Sequence, residues 1–328
     1  MKLHVFGRQA TEDKAVKLFY ASDVHGSGIC WRKFVGAGRF YGADCLVMGG
    51  DLTGKAIVPI ECDAFDHFSA EFLGEHHEGS GKEQLGSLLD AIRYNGLYPW
   101  VASRDEIERH RTDSSARDAL FEHVMLEETR SWMRLADERL AGSGIAIFVM
   151  AGNDDPWTVD AVIAQSSVVV SCDDRLVRVG EHEMISCSYS NPTPWKSPRE
   201  LDEDALYRHL KDLAEQIEDP SSAIFNLHVP PYGSGLDMAI EVNPLDLSPV
   251  HKDGQPNVIP VGSRAVRQII EEYQPLLSLH GHIHESRADA RIGRTLAINA
   301  GSEYNSGRIH GVLVQLRRDR VLHQYVQG

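Results

Sequence analysis

Residues 16–23 read Val-Lys-Leu-Phe-Tyr-Ala-Ser-Asp, a short apolar run that stops abruptly at an acid, with Val24 and His25 following at once. Five more runs stop the same way in polar or glycine-containing turns, over 44–51, 145–154, 223–228, 275–280 and 296–301, and all six read as buried strands. Between them, Leu206, Leu210, Leu213 and Ile217, and then Val266, Ile269, Ile270 and Tyr273, recur at helical spacing and place their apolar side chains on one face. Alternation of this kind builds a layered α/β fold. Beyond Leu296 the pattern turns strand-rich. Gly311–Arg318 and Arg320–Val326 meet at a tight turn, a terminal hairpin that makes the sheet mixed rather than purely parallel.

Residues 55–140 stand apart, with dense charge, several histidines and little strand-like alternation. They read as a mainly helical insertion, a cap or a dimerisation arm, within a single domain spanning 1–328. Its later part, 112–140, reads as one long helix with Thr112, Asp113 or Ser114 as cap and Gly142 beyond its end. His67, His76, His77, His110 and His123 lie in this block and read as solvated surface residues.

Composition narrows the class. With 42% hydrophobic and 25% charged residues the 328-residue chain is of ordinary globular make-up. Its 33 basic and 48 acidic residues leave a net −15, which argues against nucleic acid as a partner while leaving it open. No run approaches the ~20 apolar residues of a membrane span, and charges interrupt residues 1–17 where a leader core would lie. A cytoplasmic protein with no membrane partner is expected, a homo-oligomer being open. Five scattered cysteines without a Cys-x-x-Cys pair read as reduced thiols.

The chemistry gathers where the strands stop. Asp23-Val24-His25, Gly49-Gly50-Asp51, Gly152-Asn153-Asp154-Asp155, Asn226-Leu227-His228 and His280-Gly281-His282-Ile283-His284 each follow an expected strand, the edge at which α/β proteins build sites. Taken in order, these five clusters resemble the calcineurin-like metallophosphoesterase superfamily, from about Phe19 to Ser302 without the insertion. The resemblance implies a two-layer mixed β-sandwich flanked by helices, with two divalent metals at one edge. Carried over by position, Asp23, His25 and His284 are implied as ligands of one metal, Asn153, His228 and His282 of the other, and Asp51 as the bridge.

Two carboxylates, four imidazoles and an amide oxygen suit Mn²⁺, iron, Zn²⁺, Ni²⁺ or Co²⁺, and are too rich in nitrogen for Ca²⁺ or Mg²⁺. The implied activity is phosphoester hydrolysis by in-line attack of a metal-bound hydroxide on a small diester such as a cyclic nucleotide, with Asp51, Asn153, Asp154 and His228 at the reacting centre. A monoesterase, a nuclease and a metal-impaired protein-binding scaffold are the alternatives. Many members carry a histidine after Gly-Asn, where this chain has Asp154. Counting two metals, Asp23, Asp51, a hydroxide and an ionised Asp154 gives zero net charge, which favours monoanionic diesters over dianionic monoesters. Asp155 reads as a helix cap before Pro156, and both Asp154 and Asp155 as supports of the site. Tyr232 and Trp195 are candidate substrate contacts. The 102 residues between Asp51 and Asn153 are long for the superfamily, and a cap folded over the metals would exclude long polymers.

Overall fold

Leu18 and Tyr20 enter one hydrophobic core while Phe19 and Ala21 enter another, so the first apolar run is a strand buried on both faces. The computed structural model describes residues 15–63 and 65–328. The reading of the N-terminal segment as free of a leader core falls mostly on 1–14 and lies outside the described residues.

The strands are β1 (Val16–Ala21), β2 (Cys45–Gly49), β3 (Ile57–Cys62), β4 (His67–Phe72), β5 (Glu75–Ser80), β6 (Tyr98–Ala102), β7 (Ala146–Met150), β8 (Val169–Ser171), β9 (Leu176–Val179) and β10 (His182–Cys187). They continue with β11 (Ile224–Leu227), β12 (Met238–Ile240), β13 (His251–Lys252), β14 (Gln255–Pro256), β15 (Val258–Pro260), β16 (Leu277–His280), β17 (Ala288–Ile292), β18 (Thr295–Asn299), β19 (His310–Arg317) and β20 (Arg320–Gln327). The helices are α1 (Gly28–Tyr41), α2 (Lys82–Tyr94), α3 (Arg104–Thr112), α4 (Ser114–Leu140), α5 (Thr158–Ile163), α6 (Glu203–Ala214) and α7 (Arg264–Tyr273).

Two six-stranded sheets run in the orders β20-β19-β1-β2-β7-β8 and β17-β18-β16-β11-β10-β9. In each, four adjacent strands are parallel and antiparallel strands complete the sheet. Leu18, Val47 and Phe148 of the first sheet pack with Met184, Leu279 and Ile298 of the second. Helices α1, α4 and α5 cover the first sheet's outer face, and α6 and α7 cover the second's. This is the expected helix-flanked mixed sandwich. Parallel strands deliver their C-terminal ends to a common edge, which is where the five clusters lie. All five cysteines are unpaired, and among the described residues no helix is long and apolar enough to cross a membrane.

The 55–140 block holds more β-structure than its sequence suggested. A four-stranded sheet in the order β5-β4-β3-β6 packs on α2 through its own small core, including Ile60, Phe68, Phe72, Leu88 and Ile92. The sheet was hard to read because only one face is covered. β5, Glu-His-His-Glu-Gly-Ser, is a polar edge strand, and Pro59 and Pro99 interrupt the apolar pattern of β3 and β6. Phe68, Ala70 and Phe72 of β4 do alternate with polar residues. Helix α4 starts at the Asp113 cap, whose carboxylate accepts from Ala116 N at 3.1 Å. Its second half belongs to the main core: Trp132 stacks on Trp31 at 5.2 Å and takes the Trp31 indole N–H on its carbonyl. The end of the block is therefore also the helix through which the chain returns from β2 to the parallel neighbour β7.

Candidate metal centre

The loops that leave β1 and β2 are zipped together by backbone bonds from Asp23 N to Gly50 O (2.9 Å), His25 N to Asp51 O (3.0 Å) and Gly26 N to Leu52 O (2.7 Å). His228 N bonds Cys187 O, and Gly281 N bonds His228 O, which ties the second sheet's loops to each other in the same way. Asp23, His25, Asp51 and His282 all adopt positive φ, between 37° and 65°. Such backbone is costly for residues other than glycine and persists where surrounding contacts over-determine it. At Gly152 an added Cβ would collide with the Asp51 carboxylate, so that position admits no side chain.

These loops bring all seven implied ligands together. Donor atoms of Asp23, His25, Asp51 and His284 form one group, and those of Asp51, His228 and His282 a second, each within 4.8 Å. Asp51 is common to both. His228 presents Nδ1 to Gly49 O at 2.8 Å, a bond in which only the ring can donate, so in the neutral ring that a cation requires Nε2 carries the lone pair. That lone pair faces Asn153 Oδ1 at 3.0 Å and Asp51 Oδ2 at 3.4 Å. Asn153 gives its amide N–H to Asp154 Oδ1 (3.1 Å), which turns Oδ1 toward His228 and toward His282 Nδ1 at 2.8 Å. His25 and His284 confront each other Nε2 to Nε2 at 3.1 Å, and the buried His25 Nδ1 has no partner. Acceptors that face one another in a buried space are what cations would satisfy, and the residues fit a pair sharing Asp51.

The electrostatics agree with that fit. Burial, with His284 and Lys55 adding to it, holds His25 down at about 3, and burial and His228 hold His282 at about 3, so both are neutral as ligands must be. Burial lifts the Asp51 carboxyl to about 6. Burial presses on His228 too, but the Asp51 and Asp23 carboxylates overcome it and raise the imidazole to about 10. Without a cation, His228 thus keeps a proton in the place of one.

Asp154 stands beside the donors, its backbone N–H bonded to Asp51 Oδ1 at 3.1 Å. Its carboxylate takes the Lys55 ammonium at 2.6 Å and the Ser197 hydroxyl at 2.6 Å. Burial works against its charge, but Lys55 and Ser197 prevail and hold the carboxyl down at about 2. Asp155 is completely buried and binds outward from its own loop. It accepts from Gly152 N (2.7 Å), Leu52 N (3.0 Å), Thr53 N (2.8 Å) and Thr53 Oγ1 (2.7 Å), bracing the Asp51 loop against the Asn153 loop.

Tyr232 is covered by the Arg264 guanidinium, 4.6 Å from its ring centre. Trp195 is 62% exposed, two residues from the Ser197 that reaches Asp154. Lys55, Ser197 and Tyr304 were not singled out by sequence. Tyr304 packs its ring 4.7 Å from His25 and 5.8 Å from His284. Gly96 of the inserted block fits against His25 O and the Tyr304 ring, and Tyr94 bonds Ser306 O. The insertion therefore abuts the centre on its His25 and His284 side. Lys55 sits only four residues past Asp51, but its partner is distant in sequence, and no local pattern pairs them.

No family model matches the chain. An uncharacterised protein of Methanocaldococcus jannaschii, MJ1162, is 29% identical over 156 residues, 47% of this chain and 62% of that protein, so the match spans less than two thirds of it. The structure of TT1561 from Thermus thermophilus aligns over 95% of this chain and 99% of its own, with 13% identity and a TM-score of 0.53, a likeness of fold. A structure described as a novel archaeal phosphodiesterase aligns over 95% of this chain and all of its own at 12% identity, but its TM-score of 0.31 is too loose to bear on activity. In motif order, fold and convergence of the seven positions, the chain resembles the calcineurin-like metallophosphoesterase superfamily.

Proposed function

We propose that this protein hydrolyses phosphoesters with two divalent cations, drawn from Mn²⁺, iron, Zn²⁺, Ni²⁺ and Co²⁺, and that its substrate is a small diester such as a cyclic nucleotide. The observation that supports this most is the confrontation of Asn153 Oδ1, His228 Nε2 and Asp51 Oδ2 in a buried space, 3.0 and 3.4 Å from one another through His228. Asp23, His25, His284 and Asp51 would hold one cation, and Asn153, His228, His282 and Asp51 the other. When bound, such a pair supplies Lewis-acid stabilisation to the phosphoryl oxygens and lowers the pKa of a water toward neutrality.

The chain's own groups set the rest. Gly49 O fixes the His228 tautomer, and Asp155 holds the Asp51 and Asn153 loops in register. In-line attack of water on phosphorus, opposite the departing alkoxide, needs no nucleophilic side chain and inverts configuration. Asp154, ion-paired with Lys55, stays charged and gives no proton to the leaving group. Lys55 also changes the charge tally. Its ammonium returns the local sum from zero to +1, which suits a monoanionic diester and admits a dianionic monoester more readily than the count without it. The insertion beside His25 leaves less room for a long polymer on that side.

Metal-reconstituted protein screened against cyclic nucleotides, other diesters, monoesters and single-stranded nucleic acid tests the reading. Bis(p-nitrophenyl) phosphate should be cleaved faster than p-nitrophenyl phosphate; the reverse order overturns the diester assignment. Asp51→Asn and His228→Ala should each lower kcat/KM by about 10³-fold or more, as expected when a metal clamp is lost. Undiminished turnover in both variants would trace the activity to a contaminant.

A further inference from the structure

Resting on that phosphoesterase reading, we propose that the Lys55–Asp154 pair is the specificity determinant of the centre: Lys55 contacts a non-bridging oxygen of the bound phosphoryl group, and Asp154 sets how much of that positive charge the substrate feels. Lys55 Nζ lies 2.6 Å from Asp154 Oδ2, and Asp154 N in turn lies 3.1 Å from Asp51 Oδ1, so the ammonium is linked to the metal-bridging carboxylate through a single residue. The Lys55 side chain is 55% exposed, and Asp154 is mostly enclosed. The cation therefore has an open side, and its counter-ion does not move with it.

Of three other basic residues that could have met a phosphate, Lys196 is exposed beside Ser197 and the two arginines are engaged elsewhere. Arg264 lies on Tyr232, and Arg287 lies on Tyr325 and donates to Val326 O. Ser197 holds the far oxygen of Asp154 at 2.6 Å, so the carboxylate remains fixed when Lys55 turns toward a ligand.

Charge alone then gives the sign of each variant. A monoester dianion gains more from a positive neighbour than a diester monoanion does. Lys55→Met removes one positive charge and should lower the ratio of monoester to diester kcat/KM by about tenfold, the scale of one charge–charge contact at a half-exposed site. Asp154→Asn removes one negative charge, leaves Lys55 uncompensated and should raise the same ratio. The double variant should return close to the wild-type ratio.

The decisive readout does not need turnover. Calorimetric titration of metal-loaded protein with inorganic phosphate at pH 8, at equal measured metal content, should show weaker binding for Lys55→Met and tighter binding for Asp154→Asn. Lys82→Met, which makes the same charge change outside the centre, should leave both readouts unmoved. Shifts of the two variants in one direction, or an unchanged phosphate affinity in Lys55→Met, would overturn the assignment. If wild-type protein carrying two metals cleaves no ester, the phosphoesterase reading fails, and the phosphate titration alone decides whether Lys55 is an anion contact.

Discussion

On the inserted sheet, His76 Nδ1 lies 2.7 Å from Glu71 Oε1 with both side chains more than half exposed; in the centre, His228 Nε2 lies 3.4 Å from Asp51 Oδ2 with both side chains almost wholly buried. Each pairs a histidine with an acid, but what surrounds them differs. Around His76 and Glu71 the nearest further carboxylate is Glu78, 4.0 Å away and open to water. Around His228 and Asp51 stand five more donors, of which Asp23, His25 and His282 are held at positive φ. Water serves the exposed pair whatever its partner does, so such pairs add ~0–1 kcal/mol. In the buried set no water replaces a missing partner, and removing one member of such a set costs about 3–5 kcal/mol. A histidine beside an acid becomes a site through enclosure and convergence.

The largest expected effect lies at the bridge. Asp51→Asn should abolish stoichiometric metal binding, read by elemental analysis after desalting, whereas His76→Ala should keep the full complement. Loss of metal in both would break the contrast and make the inserted sheet a metal-binding surface. Next is Asp155, which touches no implied ligand side chain yet accepts three backbone N–H groups and one hydroxyl in a fully buried place. Asp155→Ala leaves those donors unpaired and should cost about 3 kcal/mol or more in urea unfolding of metal-free protein. A cost under ~1 kcal/mol would show that the two loops do not need this brace.

The same contrast explains which parts of the fold show in the sequence. The central sandwich strands are buried on both faces, so Leu18–Ala21 or Cys45–Gly49 advertise themselves as unbroken apolar runs. The seven ligand positions stand at the ends of such runs in a recognisable order. β3–β6 cover one face only, and their hydrophobic half-pattern is diluted by Pro59, Pro99 and the polar edge strand β5. Lys55 and Ser197 were hidden for another reason. Each acts on Asp154 through a contact made by the tertiary fold, and a lysine or serine in a loop carries no periodic signal.

Acid should act on the buried set by displacing cations. In metal-free protein His228 is protonated through the neutral range, raised to about 10 chiefly by Asp51 against the pull of burial, and Asp51 gains a proton as pH falls below about 6. Loading must expel whatever proton is present, so apparent affinity falls as pH falls. Titration calorimetry in two buffers of different ionisation enthalpy should record more protons released per centre below pH 6 than near pH 8, because Asp51 and His284, whose imidazole the Asp23 carboxylate raises against the pull of burial, then add theirs to that of His228. His25 and His282, held down at about 3, add nothing in this range. Proton uptake on loading, or affinity that rises with acid, would contradict the assignment of His228 as a ligand.

The smallest effect tests the other half of the comparison. Glu71 and His76 are opposed across the antiparallel pair β4 and β5, and their contact is the shortest acid–histidine pair on that sheet. Neither residue belongs to the small core beneath, which Phe68, Ala70 and Phe72 supply from alternate positions of β4. Removing either side chain therefore leaves the packed face intact and returns its partner to water. A double-mutant cycle on Glu71→Ala and His76→Ala should give a coupling of about 0.5 kcal/mol, fading in high salt because an exposed pair is screened. Ester hydrolysis should be unchanged in all three variants. A coupling above ~2 kcal/mol would mean that something absent from the free chain covers this face and dries the pair, which would move the inserted sheet from solvated surface to interface.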